Sequence, residues 1–434
     1  MNAILSAPTV LCCAALLASR ILRSPSAALA SLLLSELYLE YAGMASLPVA
    51  VSETRTIISI FAIALLLPRV SATRALVVSG AVLFWSLLGQ IPVGIDAYTL
   101  FRWQSCILFL LAVHAWAALG LSREWFFRGF LSFGVVVAAI AALEYFAGER
   151  LLPSIYFASS GGFRSASLLA HPLILGWFGA LLFFCVIDSE SRTLRLVGLV
   201  AASTCVLSSG SRSAVLAVLV AYSIATLRCS SPSRALRNLL FASAFASCFL
   251  LATGFGTELW VRVTHGEQQV NRSQAGRIAL ESLSGPAWVY GHGPGYISRS
   301  VSSGVALFDG TTNVAALDNQ WMTILAELGP IVFVACLVLF FRTLRRLSRR
   351  RARSDLYLVL LLAVVSLTFD FLYWPVIGGL FICCGMLSRA NYSRNSRSQG
   401  HPEKSRIHPT VMRMSSPSRR RIATSHRQDL LIDP

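Results

Sequence analysis

The stretch PLILGWFGALLFFCVI, residues 172–187, contains no charged side chain, and its one proline stands at the first position. Its length is close to the roughly 20 apolar residues that a helix needs to cross the hydrocarbon core of a bilayer. The whole chain has this character, because 55% of its 434 residues are hydrophobic and 13% are charged. Soluble domains have about 25% charged residues. The composition therefore predicts an all-α membrane protein.

Similar apolar runs recur along the chain at short intervals. They predict a polytopic protein with about 12–13 transmembrane helices, the range allowing for two short runs, 56–68 and 374–388, that could be re-entrant. The predicted runs are 3–19, 26–46, 56–68, 75–91, 104–120, 129–147, 172–187, 194–208, 213–227, 238–255, 320–341, 356–372 and 374–388.

Arginine residues are distributed unevenly between these runs. Basic connections such as Arg20/Arg23, Arg192/Arg195 and 342–353 occupy every second loop, which is the pattern of cytoplasmic loops under the positive-inside rule. The net charge of +17 is therefore interpreted as an orientation signal. No soluble stretch is long enough to form a basic nucleic-acid-binding domain, so a nucleic-acid partner is not expected.

The spans and their orientation predict four regions. A first membrane part, 1–255, is followed by a large extracytoplasmic loop, 256–319, and by the C-terminal membrane helices, 320–388. The Ser/Arg-rich remainder, 389–434, has little apolar content. It is predicted to be a basic, disordered cytoplasmic tail.

The cysteines and the common catalytic motifs give no sign of a metal or cofactor. Nearly all ten cysteines lie inside apolar runs, and they form no CxxC pair, which is typical of small buried side chains. The motifs HExxH and GxSxG are missing from the sequence. We therefore expect no metal ion, disulfide or cofactor.

Arginines on the predicted outer side oppose the orientation preference and are candidates for function. Arg212 lies in SSGSRS at the start of an apolar run, where a cation beside helix N–H groups suits an anion. Arg164 lies in GGFRSAS, a short distance before His171-Pro172. His171 could act as an acid, a base or a hydrogen-bond donor. The alternatives are that Arg212 reaches to lipid phosphates and that His171 caps a helix.

The large outer loop contains a second group of candidates. Arg272 and Arg277 lie at the start of a helix predicted near 273–283, with Glu281 one turn after Arg277. The alternative for them is a solvated helix face. The turn GHGPG, which contains His292, lacks the lysine and hydroxyl residue of a nucleotide-binding loop. It is instead predicted to bring backbone close to a ligand.

The pair Asp318-Asn319 stands at the start of the next apolar run. Its carboxylate could orient an arginine or accept a proton from a sugar hydroxyl, and helix capping explains the pair equally well.

Five pieces of the chain, taken in order, resemble the O-antigen ligase and polymerase superfamily of bacterial envelope glycosyltransferases. They are FRSASLLAHP (163–172), SSGSRSAVLAVLVA (208–221), GRIALES (276–282), YGHGPGY (290–296) and DNQWMTILAELGPI (318–331). The resemblance implies a GT-C-like helical fold in the bacterial inner membrane, acting on undecaprenyl-pyrophosphate-linked glycans at the outer face without a metal. It assigns pyrophosphate binding to Arg212 and Arg277, with Arg164 as a weaker match.

Ligases of this superfamily usually have a His-Asn pair where this chain has Asp318-Asn319. The resemblance therefore favours a polymerase of lipid-linked repeat units, with a ligase and a lipid-linked glycan transporter as alternatives. It implies membrane lipid, a chain-length regulator and a flippase as partners. The predicted catalytic residues are Arg212, Arg277, Asp318 and His171, and the predicted substrate-binding residues are Arg164, Arg272, His292 and Asn319.

Overall fold

A computed structural model of the chain describes residues 51–66, 97–152, 163–169, 171–187, 189, 191–229, 280–281, 283–296, 319–348, 353–368 and 374–399, and single positions within 26–36, 77–91 and 233–247. The chain forms two compact units, Met1–Tyr392 and Ser393–Pro434, and the contacts given below lie within the first. The regular structure of the described residues is helical throughout, which confirms the predicted all-α class.

The helices follow the apolar runs closely. In chain order they are α1 (Val51–Leu66), α2 (Ala97–Ala118), α3 (Arg123–Ala147), α4 (Pro172–Val186), α5 (Arg192–Ser208), α6 (Arg212–Cys229), α7 (Ala287–Tyr290), α8 (Gln320–Ser348), α9 (Arg353–Thr368) and α10 (Pro375–Gln399). A 3₁₀ turn, Ser167–Leu169, precedes α4.

Helix α4 lies at the centre of the packed core, and nearly all of its side chains are buried. Two glycines allow neighbouring elements to approach it closely. A Cβ atom on Gly179 would lie 2.9 Å from the Ala202 carbonyl oxygen of α5, and one on Gly176 would lie 2.7 Å from Cβ of Ser211. Small residues at such positions let apolar helices pack backbone against backbone. Close packing here fixes the ends of α4, α5 and α6 relative to one another.

Two helices among the described residues are long and apolar enough to cross a membrane, Arg123–Ala147 and Gln320–Arg346. Both present large apolar side chains outward: Phe146 is 87% exposed and Leu339 is 62% exposed. A helix with an apolar outer face suits a lipid environment. Shorter apolar helices include Pro172–Val186 and Ser354–Thr368.

Helix α8 differs from the single continuous run predicted for 320–341. Gly329 has φ 80° and ψ 170°, and Pro330 follows it, so α8 is two helical segments joined at a break. Proline has no N–H to continue the hydrogen-bond ladder, and only glycine adopts this positive φ readily. The hydropathy pattern does not reveal the break, because the residues on both sides of it are apolar.

Helix α10 overlaps the segment that was predicted as a tail. It begins at Pro375 and continues to Gln399, so the first part of the segment predicted as a disordered tail, 389–434, has helical backbone. Several predictions fall outside the described residues: the first span (3–19), most of the loop 256–319, and the chain after 399.

Candidate functional site

Two motifs that are far apart in sequence meet at one end of helices α3 to α6. The N–H of Ser165 donates to the Ser208 carbonyl at 3.0 Å, and Nε of Arg164 donates to the Ser209 carbonyl at 3.0 Å. The loop 163–169 therefore lies directly on the turn 208–212. The sequence predicted a role for each motif, and the structure brings them together with His171 nearby.

The turn 208–212 is held by its own serine side chains. The Ser209 hydroxyl donates to the Val206 carbonyl at 2.7 Å and accepts from the Ser211 N–H at 3.1 Å. Gly210 has φ 59°, and a Cβ atom there would lie 3.2 Å from Cγ of Arg164. The turn thus needs glycine both for its conformation and for its contact with the Arg164 side chain.

Arg212 is the first residue of α6 and is half-buried. The sequence placed it at the start of a helix, and the structure agrees. Helix N-termini carry a partial positive charge and favour anions. Arg212 and the start of α6 can therefore act on the same anion.

His171 caps α4. Its Nδ1 accepts from the Leu173 N–H at 3.2 Å, and its ring lies against Trp374 with centroids 5.2 Å apart. A neutral imidazole that accepts at Nδ1 has its proton on Nε2. This geometry makes Nε2–H a hydrogen-bond donor, and the cap at Nδ1 disfavours His171 as a general base.

The charge state of His171 agrees with this assignment. Burial, followed by the nearby positive charges of Arg164 and Arg150, lowers the pKa of His171 from 6.5 to about 4. The imidazole is therefore neutral near pH 7. His171 can contribute a hydrogen bond there but no positive charge.

Arg150 and Glu144 are the functional candidates that the sequence-based site omitted. Arg150 follows the C-terminal cap of α3, Gly148, which has φ 67°. It is an outer-side arginine by the same rule that selected Arg164, so the positive-inside argument could have included it. Glu144 was noticeable only as a charge within an apolar run.

The carboxylate of Glu144 is completely buried and organises the loop that contains Arg164. It accepts hydrogen bonds from the Ser165 hydroxyl and from the N–H groups of Ala166 at 3.1 Å and Ser167 at 2.8 Å. It also accepts from the Leu151 N–H at 3.3 Å. A buried carboxylate is stable only with such donors.

A second site surrounds the break in α8, at the GHGPG turn. The His292 N–H donates to the Ala326 carbonyl at 2.9 Å, and the Gly293 N–H donates to the Glu327 carbonyl at 3.0 Å. In an unbroken helix the Ala326 carbonyl would accept from residue 330, which is a proline and has no N–H. The turn supplies the donors that the break removes.

Further contacts fix this turn in place. Trp85 Nε1 donates to the Leu328 carbonyl at 2.9 Å. A Cβ atom on Gly291 would lie 2.5 Å from the Glu327 carbonyl oxygen, so the two backbones touch. The ring of His292 stacks on Tyr296, with centroids 4.1 Å apart. The close backbone approach predicted for GHGPG is therefore made to helix α8.

Asn319 caps α8. Its Oδ1 accepts from the Trp321 N–H at 3.0 Å and from the Met322 N–H at 3.3 Å, which is the capping alternative considered for this pair. The predicted site residues Arg272, Arg277 and Asp318 lie outside the described residues. The described part of the chain contains no group of three or more His, Cys, Asp or Glu residues that could hold a metal ion.

Comparison with known proteins gives no assignment: no protein-family model matches the chain, and no curated protein matches it.

Proposed function

We propose that this chain is a multi-pass protein of the bacterial inner membrane that polymerises undecaprenyl-pyrophosphate-linked repeat units at the outer face. The observation that supports this best is the meeting of the Arg164 loop, His171 and the Arg212 turn at one end of the helices. These are the first two pieces of the superfamily resemblance. Their junction assembles cations and a neutral hydrogen-bond donor around a helix N-terminus.

The proposed reaction moves a growing glycan from one carrier lipid to the end of a repeat unit on another. An acceptor hydroxyl attacks the anomeric carbon, the bond from that carbon to the pyrophosphate oxygen breaks, and the hydroxyl proton passes to a base. Asp318 is our candidate for the base. The leaving group is a pyrophosphate that gains negative charge as the bond breaks.

Arginine suits this leaving group. A guanidinium keeps its charge at all relevant pH values and donates two parallel hydrogen bonds to a phosphate. Fixed cations can stabilise the developing charge without a metal ion. We assign this role to Arg164 and Arg212 and, by the resemblance, to Arg277, with the Nε2–H of His171 as a further donor.

The membrane arrangement is part of the proposal. We place about 12–13 spans in the bilayer, with the 256–319 loop and the Arg164 and Arg212 segments on the extracytoplasmic side. Reporter fusions at residues 160 and 300 should report an external location and a fusion at 190 an internal one. A cytoplasmic location of 160 or 300 would contradict the proposed site.

The mid-span carboxylates Glu36 and Glu144 give little support to the transporter alternative. A transporter is expected to have charged side chains along a path through the membrane. Among the described residues, Glu36 forms a buried ion pair with Arg55, and Glu144 holds the Arg164 loop. Both carboxylates therefore have structural partners.

Deletion of the gene tests the proposal, with the glycan analysed by size and by its lipid carrier. Loss of a polymerase should leave single repeat units on the carrier lipid. Long chains stranded on that lipid would indicate a ligase instead, and repeat units trapped on the cytoplasmic side would indicate a transporter.

Complementation with point variants then tests the site. Arg212→Ala and Arg164→Ala should fail to restore long chains. Arg128→Ala is the matched control, because Arg128 pairs with Glu124 on the exposed surface of α3. Normal polymer from a folded Arg212→Ala variant would contradict the assigned role.

A further inference from the structure

We propose that Glu144 is a positioning residue that holds Arg150 and Arg164 together as one binding site for a diphosphate group. Its buried carboxylate accepts a hydrogen bond from the residue that directly follows each arginine. The inference rests on the proposed function for the origin of that group, the pyrophosphate of a glycan carrier lipid. Neither Glu144 nor Arg150 belongs to the site predicted from the sequence.

The hydrogen bonds of Glu144 reach both arginine-containing segments. One carboxylate oxygen accepts from the N–H of Leu151, the residue directly after Arg150. The other accepts from the hydroxyl of Ser165, the residue directly after Arg164. Since the carboxylate is completely buried, one fixed group joins the end of α3 to the loop 163–169.

The backbone at this junction has an uncommon conformation. Ser167, whose N–H donates to Glu144, is the non-glycine residue with positive φ, 51°, in the described part of the chain. Its hydroxyl also donates to the Val137 carbonyl at 2.8 Å. A non-glycine residue keeps a conformation of this kind where surrounding contacts impose it. The contacts of Glu144 and Val137 impose it here.

Both arginines lie close enough to His171 to lower its pKa. The positive charges of Arg164 and Arg150 both lower the pKa of His171, after the larger effect of burial. Both guanidinium groups therefore act on the same imidazole at the start of α4. A ligand that reaches His171 is within the field of both arginines.

A diphosphate matches this arrangement better than a single phosphate. Each guanidinium can form a bidentate contact with one phosphate group. Two guanidinium groups whose neighbouring residues are held by one carboxylate can each bind one of the two linked phosphates. A single phosphate, such as that of an ordinary phospholipid headgroup, can occupy only part of the site. We therefore expect selectivity for diphosphate.

The test measures binding of inorganic pyrophosphate and of orthophosphate to the full chain in nanodiscs of zwitterionic lipid. Orthophosphate represents a single-phosphate headgroup. The unmodified chain should bind pyrophosphate at least about tenfold more tightly than orthophosphate. Arg150→Ala should weaken pyrophosphate binding at least about tenfold, as expected for loss of a charged hydrogen-bonding partner. Arg128→Ala, which removes an exposed cation at the other end of α3, should have no effect. Equal affinity for the two anions, or no effect of Arg150→Ala, would overturn the proposal.

Glu144→Gln tests the positioning role by the sign of its effect. Removing a negative charge beside an anion site should strengthen anion binding by Coulomb's law alone. Loss of positioning should weaken it, and this is the expected result. In a chain that already contains Arg150→Ala and Arg164→Ala, Glu144→Gln should cause no further loss of pyrophosphate affinity. Tighter or unchanged binding would refute the positioning role.

A milder variant covers the case in which Glu144→Gln does not fold. Ser165→Ala removes one of the four hydrogen bonds to the carboxylate. It should weaken pyrophosphate binding less than Arg150→Ala and leave orthophosphate binding nearly unchanged. Equal weakening of both anions would indicate a general structural defect and would overturn the proposal.

Failure of this inference can be told apart from failure of the proposed function. Pyrophosphate binding is measured without any glycan. If Arg150→Ala weakens that binding while gene deletion leaves the glycan unchanged, the diphosphate site stands and the polymerase proposal fails. If deletion leaves single repeat units while Arg150→Ala binds normally, the polymerase proposal stands and this inference fails.

Discussion

Replacement of His171 by asparagine should remove a pH-dependent part of the stability of the chain. In the folded protein the pKa of His171 is lowered from 6.5 to about 4 by burial, by Arg164 and by Arg150. The unfolded chain has the ordinary value of about 6.5. Between these two values the unfolded state binds a proton that the folded state does not bind. The free energy of unfolding must therefore fall as the pH is lowered from 6.5 towards 4.

The size of the effect follows from the two pKa values. One pKa unit corresponds to about 1.4 kcal/mol, so the shift from 6.5 to about 4 corresponds to about 3 kcal/mol. The full contribution is present above pH 6.5 and is lost below about pH 4. This is a large part of the stability of a typical domain, about 5–15 kcal/mol. Asparagine has no titratable group, and it can still accept from the Leu173 N–H as a helix cap.

The assay is equilibrium unfolding in mixed detergent micelles at several values from about pH 7.5 to about pH 4.5. The unmodified chain should lose about 2–3 kcal/mol more than His171→Asn over this range. All other titratable groups are the same in both proteins, so the difference isolates His171. Parallel pH dependences for the two proteins would refute the assignment of a buried, neutral imidazole beside two arginines.

Two further predictions concern the break in α8. Gly291→Ala would place Cβ 2.5 Å from the Glu327 carbonyl oxygen at a φ of 71°. It should therefore lower the unfolding temperature clearly more than Gly285→Ala, because Gly285 has a φ of 52° and open space around it. Equal effects of the two substitutions would contradict the contact. Trp85→Phe keeps a smaller aromatic ring but leaves the Leu328 carbonyl without its Nε1 donor, and it should cost about 1–3 kcal/mol in the same unfolding assay. A loss below about 0.5 kcal/mol would show that another donor replaces it.

The sequence predicts the helices well because hydrophobicity is a local property. The run 172–187 becomes α4 (Pro172–Val186), and the predicted start at His171-Pro172 is the observed cap. In each case the signal and the structure lie within a few residues of each other.

Glu144 was absent from the predicted site because its hydrogen bonds are tertiary contacts. Glu144 accepts hydrogen bonds from residues 7 to 23 positions away. No local sequence pattern predicts those partners. The break in α8 did leave a signal, since Gly329-Pro330 is a typical turn dipeptide. This signal was missed because the residues on both sides of Gly329-Pro330 are apolar and continue the hydrophobic run.

The break and the GHGPG turn explain why a polar segment is placed beside an apolar helix. A helix that breaks inside an apolar environment leaves carbonyl groups without donors, and each one costs several kcal/mol there. The Gly329-Pro330 break exposes the carbonyls of Ala326 to Leu328, and donors from the turn and from Trp85 reach all three. An N–H that must enter such a break needs neighbours without side chains, which accounts for the glycine on each side of His292. A stable break also fixes the described segment 283–296 on α8. The glycines of the GHGPG turn, which suggested a ligand-binding loop, are therefore needed in the first place to complete the hydrogen bonds of helix α8.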